Sequence, residues 1–220
     1  MEWAVSILIL VVLLAGTIAY ATWASVNKML ASPQLRPVPE LAPGFIDGLP
    51  PATAEFLRAN GYRFHQSYQM HLVQIGIWTR ADQPPVRSFS VSRIMGKTVF
   101  EFITEFSEDA GLTTTITRAA FMFPRGKGGF MQSFPGASLT KLWAAHQQGE
   151  TFLLSERSIP VAACHLPFEE RATRGYIKQL SRVKALPFWP LRAVYWFSLK
   201  RFLMANRPIW RQNIERLYRP

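Results

Sequence analysis

Cys164 and His165 are the most reactive-looking pair in this sequence, a thiol beside an imidazole, and their adjacency is also the argument against them. Neighbours in a chain usually point apart, whereas a nucleophile and its base are brought together by the fold from separate places. His65 and His71 are six residues apart on a stretch that reads as a strand. They would share a face yet stand about 20 Å apart by strand rise, too far to hold one metal ion. His146 falls on the apolar side of a helical pattern, where a hydrogen-bonded core histidine is commoner than a ligand or a base.

Arg125-Gly126-Lys127-Gly128-Gly129 has the charge and backbone freedom to meet a phosphate, but it lacks the spacing and closing Lys-Ser/Thr of a nucleotide loop. It reads as a solvated hairpin tip. No H-E-x-x-H, G-x-S-x-G, G-x-G-x-x-G, paired C-x-x-C or EF-hand pattern occurs. The sequence therefore nominates no catalytic residue, no cofactor and no metal ligand. An enzyme using Cys164 with His165 or His146 ranks last among the readings.

What the sequence states most plainly is location. From Trp3 to Asn27 there is no charged residue, and Val5 to Leu14 is almost wholly aliphatic. A helix of that length reaches roughly 35 Å, enough to cross a ~30 Å hydrocarbon core with some tilt. Trp3 at one end and Tyr20 and Trp23 near the other suit the headgroup level. Residues 1–30 are expected to form a transmembrane anchor. A cleaved leader would want a basic start where only Glu2 stands, although Ala19-Tyr20-Ala21 does offer a small-x-small site. Lys28 and Arg36 follow the span and nothing basic precedes it, so the positive-inside rule puts the N-terminus outside and the following domain in the cytoplasm. Ala15 and Ala19, and separately Ala21 with Thr17 and Ser25, recur at four-residue spacing that would let a second helix approach.

The formal net charge of +11 is not spread evenly. Residues 171–220 carry twelve Lys/Arg against one acid, Glu215, whereas residues 1–170 carry thirteen of each sign. All of the excess lies in the last fifty residues, which points to a polyanionic partner for that segment. A single cysteine excludes an internal disulfide.

Six prolines between Ala31 and Pro51 mark residues 31–51 as an extended linker. Residues 52–166 read as an α+β domain. A short helix at 52–60 is followed by period-two runs, Val73/Ile75/Ile77, Phe89/Val91 and Phe100/Phe102, separated by Asp82-Gln83-Pro84-Pro85, Met95-Gly96-Lys97 and Glu108 to Gly111. These predict an antiparallel meander of four or five strands ending near Ile116. Ser138 to Gln148 reads as a second covering helix, capped by Ser138 and stopped at Gly149, and Glu150 to Ser158 as a returning strand. Residues 167–220 read as a basic amphipathic helical tail, broken at Pro187 and Pro190, in which Leu191, Tyr195, Leu199 and Phe202 share a face.

Cations and rings interleave in that tail. Trp189, Arg192, Trp196, Lys200 and Arg201, with Trp210 and Arg211 beyond, are the residues expected at a membrane interface or partner contact. The same composition suits a single-strand nucleic-acid platform. The anchor decides against that, because it places the tail beside anionic lipid, where each basic residue contributes about 1 kcal/mol. A second span through Ala185–Asn206 would bury Arg192, Lys200 and Arg201, each costing about 2.5–3.5 kcal/mol. The function expected is a membrane-tethered, non-enzymatic module, an accessory or scaffolding subunit of a larger membrane assembly. The alternative is a domain holding a lipid or apolar ligand between the sheet and the 138–148 helix. A reporter fused after Pro220 should behave as cytoplasmic; reporter activity on the opposite side of the membrane would overturn the orientation.

Overall fold

A computed structural model of the chain describes residues 2–31, 33–80, 84–121, 124–126 and 128–213. The expectations for Asp82-Gln83, Lys127, Glu215 and Tyr218 lie outside the described residues. The uncharged N-terminal stretch is one helix, α1 (Glu2–Ala31). Its window Trp3–Lys28, with a mean hydropathy of 2.5, is long and apolar enough to cross a membrane, and the rest of the protein buries 6% of it.

Beyond α1 the chain lays down seven strands side by side in sequence order. The central five are β2 (Tyr62–Met70), β3 (Val73–Arg80), β4 (Val86–Ile94), β5 (Lys97–Ser107) and β6 (Ala110–Thr115), and they form the expected antiparallel meander. Two more extend it beyond the four or five expected. β1 (Arg36–Pro37) comes from the proline-rich stretch and pairs antiparallel with Gln69 and Tyr68, at the sheet edge where a residue without an amide proton is tolerated. β7 (Gly129–Ser133) comes from the glycine-rich loop and runs parallel to β6, so that loop continues directly into the sheet. Its alternation is invisible in the sequence because Gln132, a polar residue, occupies a core-facing position between Phe130 and Phe134.

The proline-rich stretch also folds. Helix α2 (Ala42–Asp47) drives Phe45 into the core at 1% exposure, where it lies on Gly76 of β3. A Cβ at Gly76 would sit 2.7 Å from Phe45 Cγ, so this close approach requires glycine.

One sheet face is aromatic. Phe89, Val91 and Phe102 meet Leu57 of α3 (Pro51–Ala59) and Leu142 and Trp143 of α4 (Leu139–Ser155). The ring centroids of Phe102 and Trp143 are 4.9 Å apart and those of Phe89 and Phe102 5.0 Å, tilted as aromatic pairs prefer. Ser138 caps α4, its hydroxyl accepting from the Lys141 amide at 3.4 Å. The helix does not stop at Gly149: in place of the strand expected at Glu150–Ser158, α4 continues to Ser155 and the chain then leaves it without forming a strand. Gly149 is present for packing: a Cβ there would stand 2.8 Å from Gln132 Nε2 and 3.1 Å from Leu112 Cδ2. With no side chain, α4 lies close against β6 and β7, and Phe152 and Leu153 fill a second core with Phe106, Leu112, Phe130 and Ile209.

The opposite face is covered by α5 (Phe168–Ala185), the first helix of the basic tail. Its cations meet the sheet's acids: Arg171 is bidentate on Glu105, Arg174 reaches Glu108 at 3.5 Å and Lys178 reaches Asp109 at 2.8 Å. Part of the tail's charge excess is thus answered within the molecule. Gly149→Ala should lower the unfolding midpoint of the detergent-solubilised chain, because overpacking of about 1–3 kcal/mol outweighs the ~1 kcal/mol gained in helix propensity. An unchanged or raised midpoint by circular dichroism would show that Gln132 yields freely.

Candidate membrane and partner interface

The tail turns back on the anchor because its prolines break it. Leu186 is held extended before Pro187, as a residue preceding proline prefers, and Phe188 adopts a left-handed conformation with φ +54°. A new helix starts at Trp189 with Pro190 in its first turn, where no amide donor is needed. It runs as α6 (Trp189–Tyr195), a π-helical turn (Trp196–Lys200) and α7 (Arg201–Leu203).

One face of this helix is buried against α1. Trp189, Ala193 and Trp196 join Val26 of α1 and Leu180 and Val183 of α5 in a single apolar cluster, with Leu30, Leu186 and Phe197 at its margin. On α1 the same face carries Ala19 and Thr22, exposed 8% and 4%, and the Thr22 hydroxyl donates back to the Ile18 carbonyl at 2.8 Å. Ala15 is half-buried on that face, and Ala21 is exposed on another. The surface of α1 that carries Ala19 is therefore occupied by the chain itself.

The other face of the tail helix is apolar and uncovered. Phe188, Leu191, Tyr195, Leu199 and Phe202 recur at three- and four-residue spacing with exposures of 78, 62, 50, 49 and 47%. All but Phe188 belong to the stripe read from the sequence. The tryptophans lie elsewhere: Trp189 and Trp196 face α1, and only Trp210, at 38%, reaches the surface. Arg192 and Arg211 are exposed, while Lys200 and Arg201 are half-buried. The guanidinium groups of Arg201 and Arg118 both stack on Phe202, at 4.8 and 5.2 Å from its centroid. Arg192, Lys200, Arg201, Arg207 and Arg211 have no carboxylate partner among the described residues, in contrast to the cations of α5.

The chemically suggestive residues do not converge. Cys164 is half-buried, and burial with Glu105 nearby pushes its thiol up, away from the thiolate a nucleophile needs. His65 sits at a bulge in β2 and His71 in the β2–β3 turn with φ +54°. Among the described residues no group of three or more His, Cys, Asp or Glu could hold a metal ion.

His146 is the centre of a buried hydrogen-bond chain between α4 and the sheet. Gln132 Nε2 donates to Thr114 Oγ1 at 2.8 Å, and Thr114 Oγ1 lies 2.8 Å from His146 Nδ1. On the far side of the ring, His146 Nε2 lies 2.9 Å from Thr104 Oγ1, which donates to Glu150 at 3.0 Å. Each hydroxyl has one proton to give, so Thr114 donates to Nδ1 and the ring carries its proton on Nε2. Arg87 closes the chain with a bidentate grip on Glu150. The helical period placed His146 on the inward face, but Glu150, expected in a returning strand after Gly149, was not legible as its companion one turn later. Arg87, Thr104, Thr114 and Gln132 were not legible, because only the fold aligns them.

Burial pulls the His146 pKa down to about 3, with Arg87 adding to the effect. The unfolded chain binds this proton near pH 6.5 and the folded one does not, so stability is full above 6.5 and falls as pH drops toward 3. His146→Gln should flatten the stability slope between pH 6.5 and 5.5, a window above ordinary carboxylate titration. An unaltered slope in equilibrium denaturation would place the histidine outside this linkage.

No protein family, curated protein or solved structure matches this chain.

Proposed function

We infer that the protein is a membrane-tethered, non-enzymatic interaction module, an accessory or scaffolding subunit docking to a larger membrane assembly from the cytoplasmic side. One observation carries the reading: the tail helix buries Trp189, Ala193 and Trp196 on the anchor while presenting Leu191, Tyr195, Leu199 and Phe202 outward. An apolar stripe of this kind on a helix already packed beside a spanning segment belongs in the acyl boundary or against another membrane helix. Arg192, Lys200, Arg201 and Arg211 flank it without acidic partners and suit anionic headgroups or an acidic subunit surface. Nucleic acid is the poorer fit, since the two central indoles are buried and offer no stacking platform.

The alternative of an apolar ligand between the sheet and the 138–148 helix is disfavoured by the rings of Phe89, Phe102 and Trp143, which fill that space. Leu191→Glu or Leu199→Glu should leave the fold intact, because both side chains are exposed, and should abolish co-purification of a stoichiometric membrane partner in mild detergent. Retention of that partner by both variants would contradict the docking role.

A further inference from the structure

The sheet face opposite the aromatic core contains an anomaly. Ser88, Ser90 and Ser92 alternate along β4, so all three point toward the α5 side, and they are exposed 0, 2 and 8%. None of the three hydroxyls has a hydrogen-bond partner among the described residues, and Ser88 Oγ is fully occluded. An occluded unpaired hydroxyl, as at Ser88, is unfavourable, and serines at three alternate positions of a strand centre, where valine or isoleucine would pack, call for an explanation beyond folding.

Ser90 and Ser92 line a cavity of about 150 Å³ beneath α5. Glu101, the cross-strand partner of Ser90, joins them on its floor, and Ile75, Ile77, Ile103 and Phe168 make its walls. The volume is far above the ~10–15 Å³ that one water requires and below the ~300 Å³ at which drug-sized pockets begin. Leu35 and Thr173, joined by a 3.3 Å hydrogen bond from the Leu35 amide to Thr173 Oγ1, stand between this cavity and an open groove of about 690 Å³ that runs between residues 34–37 and α5. Burial pushes the Glu101 carboxyl up, toward its neutral form, while Thr115 and Arg125 act in the opposite direction. The floor is therefore polar and desolvated, and the walls are apolar.

We propose that this cavity binds a small uncharged amphiphile, a hydroxyl or carbonyl head on a short apolar body, with the head hydrogen-bonded to Ser90, Ser92 and Glu101. A cationic head could find its counter-charge only in an ionised Glu101, the form that burial disfavours, an anionic head would meet none on the floor, and a headless alkane would leave the serines unpaired. The site lies on the opposite face of the sheet from α4 and is independent of the exposed stripe on α6, so the two readings can fail separately.

The full chain in lipid nanodiscs, with 13C-labelled isoleucine methyl groups, provides the test. 1-Pentanol should shift the Ile75, Ile77 and Ile103 signals saturably, and pentylammonium should not. Ser90→Ala with Ser92→Ala should weaken 1-pentanol binding about tenfold while the remaining methyl spectrum stays unchanged. Non-saturable shifts, equal shifts with pentylammonium, or no shift with either probe would overturn the proposal, the last by showing that the cavity holds only water. If the double variant fails to fold, the selectivity of the wild-type chain between the two probes still decides.

Discussion

The contact of Trp189, Ala193 and Trp196 with Val26 is the interaction on which the rest of the arrangement depends. A spanning helix alone would leave the folded domain on a tether. Here the tail returns to the anchor just where α1 leaves its apolar stretch, and Leu180 and Val183 of α5 enter the same cluster. Because α5 is also paired to the sheet by Arg171–Glu105, one helix links the sheet to α1. Ala193 on one helix and Ala19 on the other are both buried, and side chains this small permit a close helix approach.

The two sheet faces are built to different rules. Toward α4 the core is aromatic and ends in the chain from Gln132 through His146 to Glu150 and Arg87, in which every donor finds an acceptor. Such a network adds little net stability over an apolar core, but losing one member of the Arg87–Glu150 pair strands a charge, at about 3–5 kcal/mol. It therefore fixes the register of α4 on β5, β6 and β7. Toward α5, Ser88 Oγ is occluded without a hydrogen-bond partner, and Ser90 and Ser92 border open space. The contrast within one sheet, satisfied polarity on one side and unpaired serines on the other, separates structure from candidate function.

The sequence displayed whatever depends on local period. The apolar helix α1, the five strands from Tyr62 to Thr115, the first part of α4 and the stripe at Leu191, Tyr195, Leu199 and Phe202 all follow from spacing and breakers. What it concealed depends on partners distant in the chain. β1 is two residues long and defined only by Gln69 and Tyr68. β7 is masked by Gln132, which faces inward and donates to Thr114 and to the Ala145 carbonyl. Gly149 looked like a helix end because its packing role against Gln132 and Leu112 is tertiary. The interleaved rings and cations of the tail likewise gave no hint that Trp189 and Trp196 would turn to the anchor, since either side of an amphipathic helix with two apolar faces satisfies the same pattern.

Whether the outward stripe of α6 meets lipid is decided by a spin label at position 195. With Cys164→Ser and Tyr195→Cys in the full chain reconstituted into vesicles, the label's collision rates with oxygen and with a water-soluble nickel complex report its surroundings. Oxygen-dominated relaxation at 195, against nickel-dominated relaxation for a label at the exposed Lys184, is the result that the account predicts. Nickel-dominated relaxation at both positions would place the stripe in water and contradict the account.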